Sequence, residues 1–301
     1  MQGQCGMFSG MPELPEVETV ARDLASALPG RCITAVWLGK TDFLADPAAL
    51  QTQLPGCRIA AVRRYGKFLL LDLLPDNGTG RPGTLLVHLG MTGQLVVQPA
   101  AAVLPPHTHV VLTLDDGRQL RYTDVRRFGR IVLVSAGELD VSLAGLGPDP
   151  LEIGQAEFCA RLGRRRARIK ALLLDQRTLR GLGNIYADES LWRARIHPAE
   201  PAAQLGPARL KRLCRAVRQI LREAIRWRGS SIANYRDATG APGAYQRRHR
   251  VYGREGKPCV RCRTKIRCLV VAGRSSYYCP RCQRAPKSAL RPVRRPRQIA
   301  H

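Results

Sequence analysis

Behind Pro15, apolar residues recur at helical spacing (Val17, Val20, Ala21, Leu24 and Leu28), with Glu16 and Glu18 in the first turn. Pro29-Gly30 ends this predicted helix. From Cys32 to about Val134 the pattern shifts to short β-rich runs: CITAVWL, CRIAAV, KFLLLDLL, TLLVHLG, HVVLTL, QLRYTD and RIVLV. Asp115-Asp116-Gly117 separates two of them and reads as a hairpin turn. Short strands at this spacing predict a sandwich or barrel. The stretch AGLGPDPLEIG (144–154) reads as a linker. Beyond it the periodicity is helical, near 155–162, 166–175, 185–194 and 207–228. A Gly-, Ala- and Pro-rich loop, RDATGAPGAYQ (236–246), precedes a cysteine-bearing module at about 251–283. The Arg- and Pro-rich end has almost nothing to bury, which predicts disorder.

Charge adds a partner to this picture. The 301 residues carry 49 Lys and Arg against 23 Asp and Glu, a formal +26. That excess points to a polyanion, nucleic acid before an acidic membrane surface, since no long apolar span or lipidation motif is present. The start lacks the basic and apolar stretches of a signal peptide, so a soluble, cytosolic protein is expected. Of ten cysteines, Cys5, Cys32, Cys57, Cys159, Cys214 and Cys268 are scattered and read as reduced thiols.

The other four are organised. Cys259-x2-Cys262 and Cys279-x2-Cys282 form two knuckles that suit one tetrahedral Zn²⁺. The chain between them reads as a strand, a turn and a strand, with Arg274 in the turn, reaching for phosphate. Four cysteines fill such a site and leave no position open for catalysis. In RGLGNIYADES (180–190), Gly181 and Gly183 allow a close approach. Asn184 stands at a turn-to-helix junction whose N–H groups suit a phosphate. In HLGMTG (88–93), Met91 sits between glycines on an expected turn, either packed or free to enter a duplex and unstack bases. TDVRRFGR (123–130) offers Arg126, Arg127 and Phe128 beside a glycine.

MPELPEVE, HLGMTG, TDVRRFG, GLGNIYADES, VYGR and the four-cysteine hairpin occur in one order. From Met11 to about Gln283 the chain resembles the bifunctional formamidopyrimidine-DNA glycosylases, which excise oxidised purines. The resemblance implies an α+β multidomain protein. Its expected parts are an N-terminal β-sandwich with a flanking helix (12–146), a helix-two-turn-helix domain with a lesion-recognition loop (147–246), a zinc β-hairpin (247–284) and a basic tail (285–301). It implies that Pro12 is the nucleophile through a free secondary amine. As the amide of Met11 that nitrogen is delocalised and inert. Residues 1–11 are therefore expected to be absent from the working protein. By the same resemblance Glu13 protonates the opening sugar, Lys67 serves β-elimination, and Arg274 serves δ-elimination. His88 and Asn184 hold phosphate, and His107, Arg126 and Arg165 contact DNA. Met91, Arg126 and Phe128 fill the gap left by the extruded base. A structural Zn²⁺, double-stranded DNA carrying oxidised bases or abasic sites, and a monomer complete the expectation.

The chain departs from the family pattern in places. Val125 stands where proline is common, which loosens that loop. RRRARIK (164–170) replaces a lysine-rich run, and GAPGAYQ alters the loop that reads the flipped base. Two other readings compete. One is an endonuclease VIII-like enzyme for oxidised pyrimidines. The other is a DNA-binding zinc protein without catalysis, should residues 1–11 be retained.

Overall fold

The computed structural model describes residues 11–75, 83–232 and 234–285. The chain before Met11 and the basic tail after Ala285 lie outside the described residues. Helix α1 (Leu14–Ala27) has Glu13 as its cap residue and Pro15 in its first turn. The Glu16 carboxylate accepts the otherwise orphaned Glu13 N–H at 2.9 Å, half of a capping box. The buried face of α1 is divided. Leu14 packs into the core of the helical lobe, whereas Val17, Val20, Ala21, Leu24 and Leu28 pack into that of the sheet. The N-terminal end of α1 therefore lies where the two lobes meet.

The N-terminal lobe holds β1 (Cys32–Leu38), α2 (Pro47–Gln53), β2 (Cys57–Tyr65), β3 (Phe68–Pro75) and β4 (Gly83–His88). It continues with β5 (Gln94–Pro99), β6 (Thr108–Leu114), β7 (Arg118–Thr123), β8 (Arg130–Ser135) and α3 (Ala136–Leu143). Among the described residues the strand order is β5-β7-β6-β1-β2-β3-β4-β8, with every neighbouring pair antiparallel. The strands fold over into two layers. Tyr122 on β7, near one end of that order, puts its hydroxyl against Gly129, which leads into β8 at the other end. This is the expected sandwich. Strand β5 and helices α2 and α3 were not anticipated from the pattern.

The second lobe packs α4 (Gln155–Gly163), α5 (Ile169–Leu174), α6 (Asn184–Arg193) and α7 (Pro207–Arg226). Leu210, Leu213, Val217, Ile220 and Leu221 of α7 recur at helical spacing and face that core. The stretch read as a linker is packed rather than loose. Asp149 is 2% exposed and pairs with Arg64 of β2 at 2.7 Å, and Arg64 also holds Glu18 of α1 at 2.6 Å.

Strands β9 (Arg267–Val271) and β10 (Arg274–Tyr278) form the terminal hairpin. Its two-residue turn is Ala272-Gly273, both with positive φ (50° and 71°), the twist that closes tight hairpins. Arg274 is therefore the first residue of β10, paired with Val271, and not part of the turn as expected. Buried Lys170 of α5 pairs with Asp188 of α6 at 2.7 Å and donates to Ser275 O and Ser276 Oγ at 2.8 Å. This fastens β10 to the helical lobe. No helix among the described residues is long and apolar enough to cross a membrane.

Candidate active site

The site begins where two helix N-termini meet. Leu14 N–H donates to Gly181 O at 2.9 Å, so the start of α1 lies against the turn into α6. A Cβ on Gly183 would stand 2.3 Å from Glu13 Cδ, and one on Gly181 would stand 2.8 Å from Leu14 Cδ1. The glycines of GLGN thus admit the protein's own Glu13. Its carboxylate accepts the N–H of Ile185 at 2.9 Å and of Tyr186 at 3.4 Å. The first-turn N–H groups expected to hold phosphate are partly taken by this carboxylate, which the helix dipole favours for the same reason.

A cleft of about 300 Å³ opens here, lined by Glu13, Lys67, Met91, Asn184 and Arg274, with Met11 and Tyr252. Lys67 lies in the two-residue turn between β2 and β3, which Gly66 enters with φ 63°. Met91 is half-buried in the turn after β4 and belongs to none of the apolar cores. Asn184 is the first residue of α6, and its buried Oδ1 has no hydrogen-bond partner among the described residues. Pro12 is buried immediately before the cap residue of α1.

Burial reshapes titration in and around this cleft. It raises the Glu13 carboxyl, opposed by the Lys67 charge and the N–H groups of α6. Burial, then the neighbouring Glu13 charge, pushes Glu16 up to about 7, although it accepts hydrogen bonds from the Tyr186 hydroxyl and the Ser230 N–H. Burial lowers Lys67, opposed by Glu13 and Glu16. His88 is pushed down to about 4 by burial, then by Lys67 and Arg130, so it is neutral near pH 7. Its Nδ1 accepts the Gly90 N–H at 3.1 Å. A neutral histidine meets a phosphate by hydrogen bonding alone, without the gain of an opposite charge.

Neither Pro12 nor His88 lines the cleft, and the remaining sequence candidates stand outside it. Arg126 is exposed and stacks its guanidinium 4.4 Å from the ring centroid of Phe128, itself 54% exposed. Arg165, at the end of α4, and His107, with φ 62°, are exposed. Despite Val125, the 124–130 loop is not loose, because Asp124 holds it by hydrogen bonds. Asp124, Tyr186 and Ser230 escaped the sequence reading. Asp124 lies inside TDVRRFG, and Tyr186 inside GLGNIYADES, but nothing local marks their partners.

The four hairpin cysteines, Cys259, Cys262, Cys279 and Cys282, bring their Sγ atoms within 4.8 Å of one another. The Cys262–Cys279 and Cys262–Cys282 separations are 3.4 and 3.5 Å. Four thiols so gathered fit one structural zinc with bonds of about 2.3 Å. Trp192, Val251 and Ile266 pack around them.

Three family models match the chain in succession. They are the formamidopyrimidine-DNA glycosylase N-terminal domain (residues 11–131), its H2TH domain (146–236), and the zinc finger found in FPG and IleRS (256–285). A formamidopyrimidine-DNA glycosylase of Chloroflexus aurantiacus is 46% identical over 91% of this chain and 98% of its own. One of Chloroflexus aggregans is 48% identical over the same shares. The solved MutM (FPG) protein of Thermus thermophilus is 42% identical, with a TM-score of 0.78 over 90% of this chain and 98% of its own. A mutant of Lactococcus lactis FPG, solved in complex with DNA containing Fapy-dG, is 34% identical with a TM-score of 0.83, covering 91% of this chain and all of its own. A sandwich, an H2TH lobe and a zinc hairpin closing on one cleft define a class of DNA glycosylases that are also abasic-site lyases. Within that class, the chain belongs to the formamidopyrimidine-DNA glycosylase family.

Proposed function

We propose that this protein removes 8-oxoguanine and formamidopyrimidines from duplex DNA and then cuts the strand by β,δ-elimination. The observation that carries this reading is the single cleft where Glu13, Lys67, Met91, Asn184 and Arg274 converge from both lobes and the hairpin. The reaction needs Pro12 as a free secondary amine, so the active form begins at Pro12. The amine attacks C1′ and the N-glycosidic bond breaks, the base leaving with the proton that the amine loses. Glu13, whose carboxyl burial raises above its ordinary value, gives a proton to the ring oxygen as the C1′–O bond opens in step with the departure of the base, leaving an iminium on Pro12. Lys67, which burial lowers from its ordinary range, exchanges a proton during elimination.

His88, His107, Arg165 and Asn184 hold the backbone in this reading, and Met91, Arg126 and Phe128 occupy the gap. The division at 146, 246 and 284 belongs to the same proposal, as does work on the bacterial nucleoid in the cytoplasm. The test is excision by protein beginning at Pro12 from duplexes carrying 8-oxoguanine or an oxidised pyrimidine. The expected result is faster release of 8-oxoguanine. Faster release of the pyrimidine lesion would favour the endonuclease VIII-like reading, and DNA binding without release of either would favour a non-catalytic protein.

A further inference from the structure

The loop 89–93 carries Met91 and the loop 124–130 carries Arg126 and Phe128, far apart in sequence. In the fold they touch backbone to backbone. A Cβ on Gly90, whose φ is 62°, would stand 2.5 Å from Gly129 N and from Phe128 C. One on Gly129 would stand 1.7 Å from the Tyr122 hydroxyl oxygen. Asp124 lies between these loops, fully buried. Its Oδ1 accepts the Thr92 hydroxyl of the first loop and the Arg126 N–H of the second, the latter at 3.2 Å. Its Oδ2 accepts the Tyr122 hydroxyl at 3.1 Å and the Gly129 N–H at 2.9 Å. Arg126 N–H also reaches Thr92 Oγ1 at 3.1 Å. One carboxylate thus takes donors from both loops and from the strand beneath them.

We propose that Asp124 is a positioning residue that locks the two loops together, so that Met91, Arg126 and Phe128 enter the duplex as one preorganised wedge. This rests on reading those three residues as gap-fillers. The physical ground is that a buried carboxylate is tolerated only when its acceptors are filled, and charge-assisted bonds of this kind are about twice as strong as neutral ones. Two loops held separately each lose conformational freedom on inserting, whereas loops locked beforehand have already lost it. The locking matters most where the base is well stacked and must be forced out.

Asp124→Asn keeps the shape but presents an NH₂ group to two of the donors, unpicking one side of the lock. Thr92→Val removes the bond to the first loop, and Thr92→Ser restores it. Excision of 8-oxoguanine is measured in single turnover from a fully paired duplex and from a bulge where the lesion is already unpaired. Melting temperature and zinc content are followed alongside. The expectation is that Asp124→Asn and Thr92→Val lower the paired-to-bulged ratio roughly tenfold, and that Thr92→Ser restores it. A merely structural role would lower both rates together, so an unchanged ratio would overturn the proposal. Unmutated protein beginning at Pro12 but inert on both substrates would overturn the proposed function, and this inference with it.

Discussion

The zinc hairpin and the cleft are built by opposite means. The hairpin gathers Cys259, Cys262, Cys279 and Cys282 from one short stretch, and the metal they fit supplies the closure. The cleft gathers Glu13 and Arg274 from near opposite ends of the described chain. Its closure comes from glycines that let backbones approach, and from packing that forces charges together. The consequence is electrostatic. Burial displaces Glu13, Glu16, Lys67 and His88 from their ordinary titration, as expected where groups are poised for proton transfer. A site closed by a metal is written in local spacing, whereas one closed by packing is written in contacts across the fold.

Substitutions that strike one region and spare the other sharpen the contrast. The largest effect is expected for Glu13→Gln, which keeps the shape but removes the transferable proton. Base release should fall about 10²–10⁴-fold while DNA affinity holds, measured by single-turnover kinetics and titration. Normal release would mean that another group protonates the sugar. Next comes zinc removal by a chelator, or Cys279→Ser. The hairpin should unfold and DNA binding should weaken by about tenfold or more, because structural zinc supplies most of the folding energy of so small a unit. The two lobes should keep their circular dichroism, since their cores are separate from that around the cysteines. Loss of the whole fold would erase the contrast. Met91→Ala should slow excision from a stable duplex by roughly tenfold with little change in melting temperature, because Met91 belongs to none of the cores. A core residue would instead cost about 2–5 kcal/mol on truncation.

The last effects concern stability and its dependence on pH. His197 lies against Tyr278 of the hairpin at 4.6 Å between ring centroids, and burial pushes it down to about 4. In the unfolded chain it titrates near 6.5, so there the unfolded state binds more protons and stability rises with pH. Its contribution is complete above about pH 6.5 and is lost as the pH falls to about 4. Glu16 has the opposite sign. Raised to about 7, it favours folding while protonated. That contribution is complete below about pH 4.5 and is lost as the pH rises through about 7. His197→Gln should reduce the rise, and Glu16→Gln the loss, each by up to about 1.4 kcal/mol per pH unit. Chemical denaturation across pH 4–8 reads both slopes, and parallel changes in the two variants would contradict the assignment.

What the sequence disclosed follows the same division. The first helix, most strands and the zinc ligands were legible because their determinants lie within a few residues of one another. Helix α2 buries only Leu50 and α3 only Leu143, so neither shows a periodicity to read. Strand β5 ends the sheet order with a single partner, β7, and only Leu95 fully buried. Arg274 was placed in the turn because the tight two-residue turn depends on Ala272 accepting positive φ, which its residue type does not advertise. Lys67 was singled out by resemblance and Asn184 by its place at a turn-to-helix junction, and only the fold brings them to one cleft. Asp124, Tyr186 and Ser230 do their work through partners remote in sequence, Thr92 for the first and Glu16 for the other two.

The central claim is that the Pro12 nitrogen takes the sugar, and that no amine lining the cleft does so. Lys67 is the chemical rival, since burial lowers its titration and it lines the same space. Protein beginning at Pro12 should be incubated with 8-oxoguanine duplex, reduced with borohydride, digested, and sequenced by mass spectrometry. The account predicts the deoxyribose remnant on the α-nitrogen of Pro12, and no adduct when Met11 remains attached. A remnant on Lys67 Nζ, or trapping that persists with Met11 in place, would contradict it.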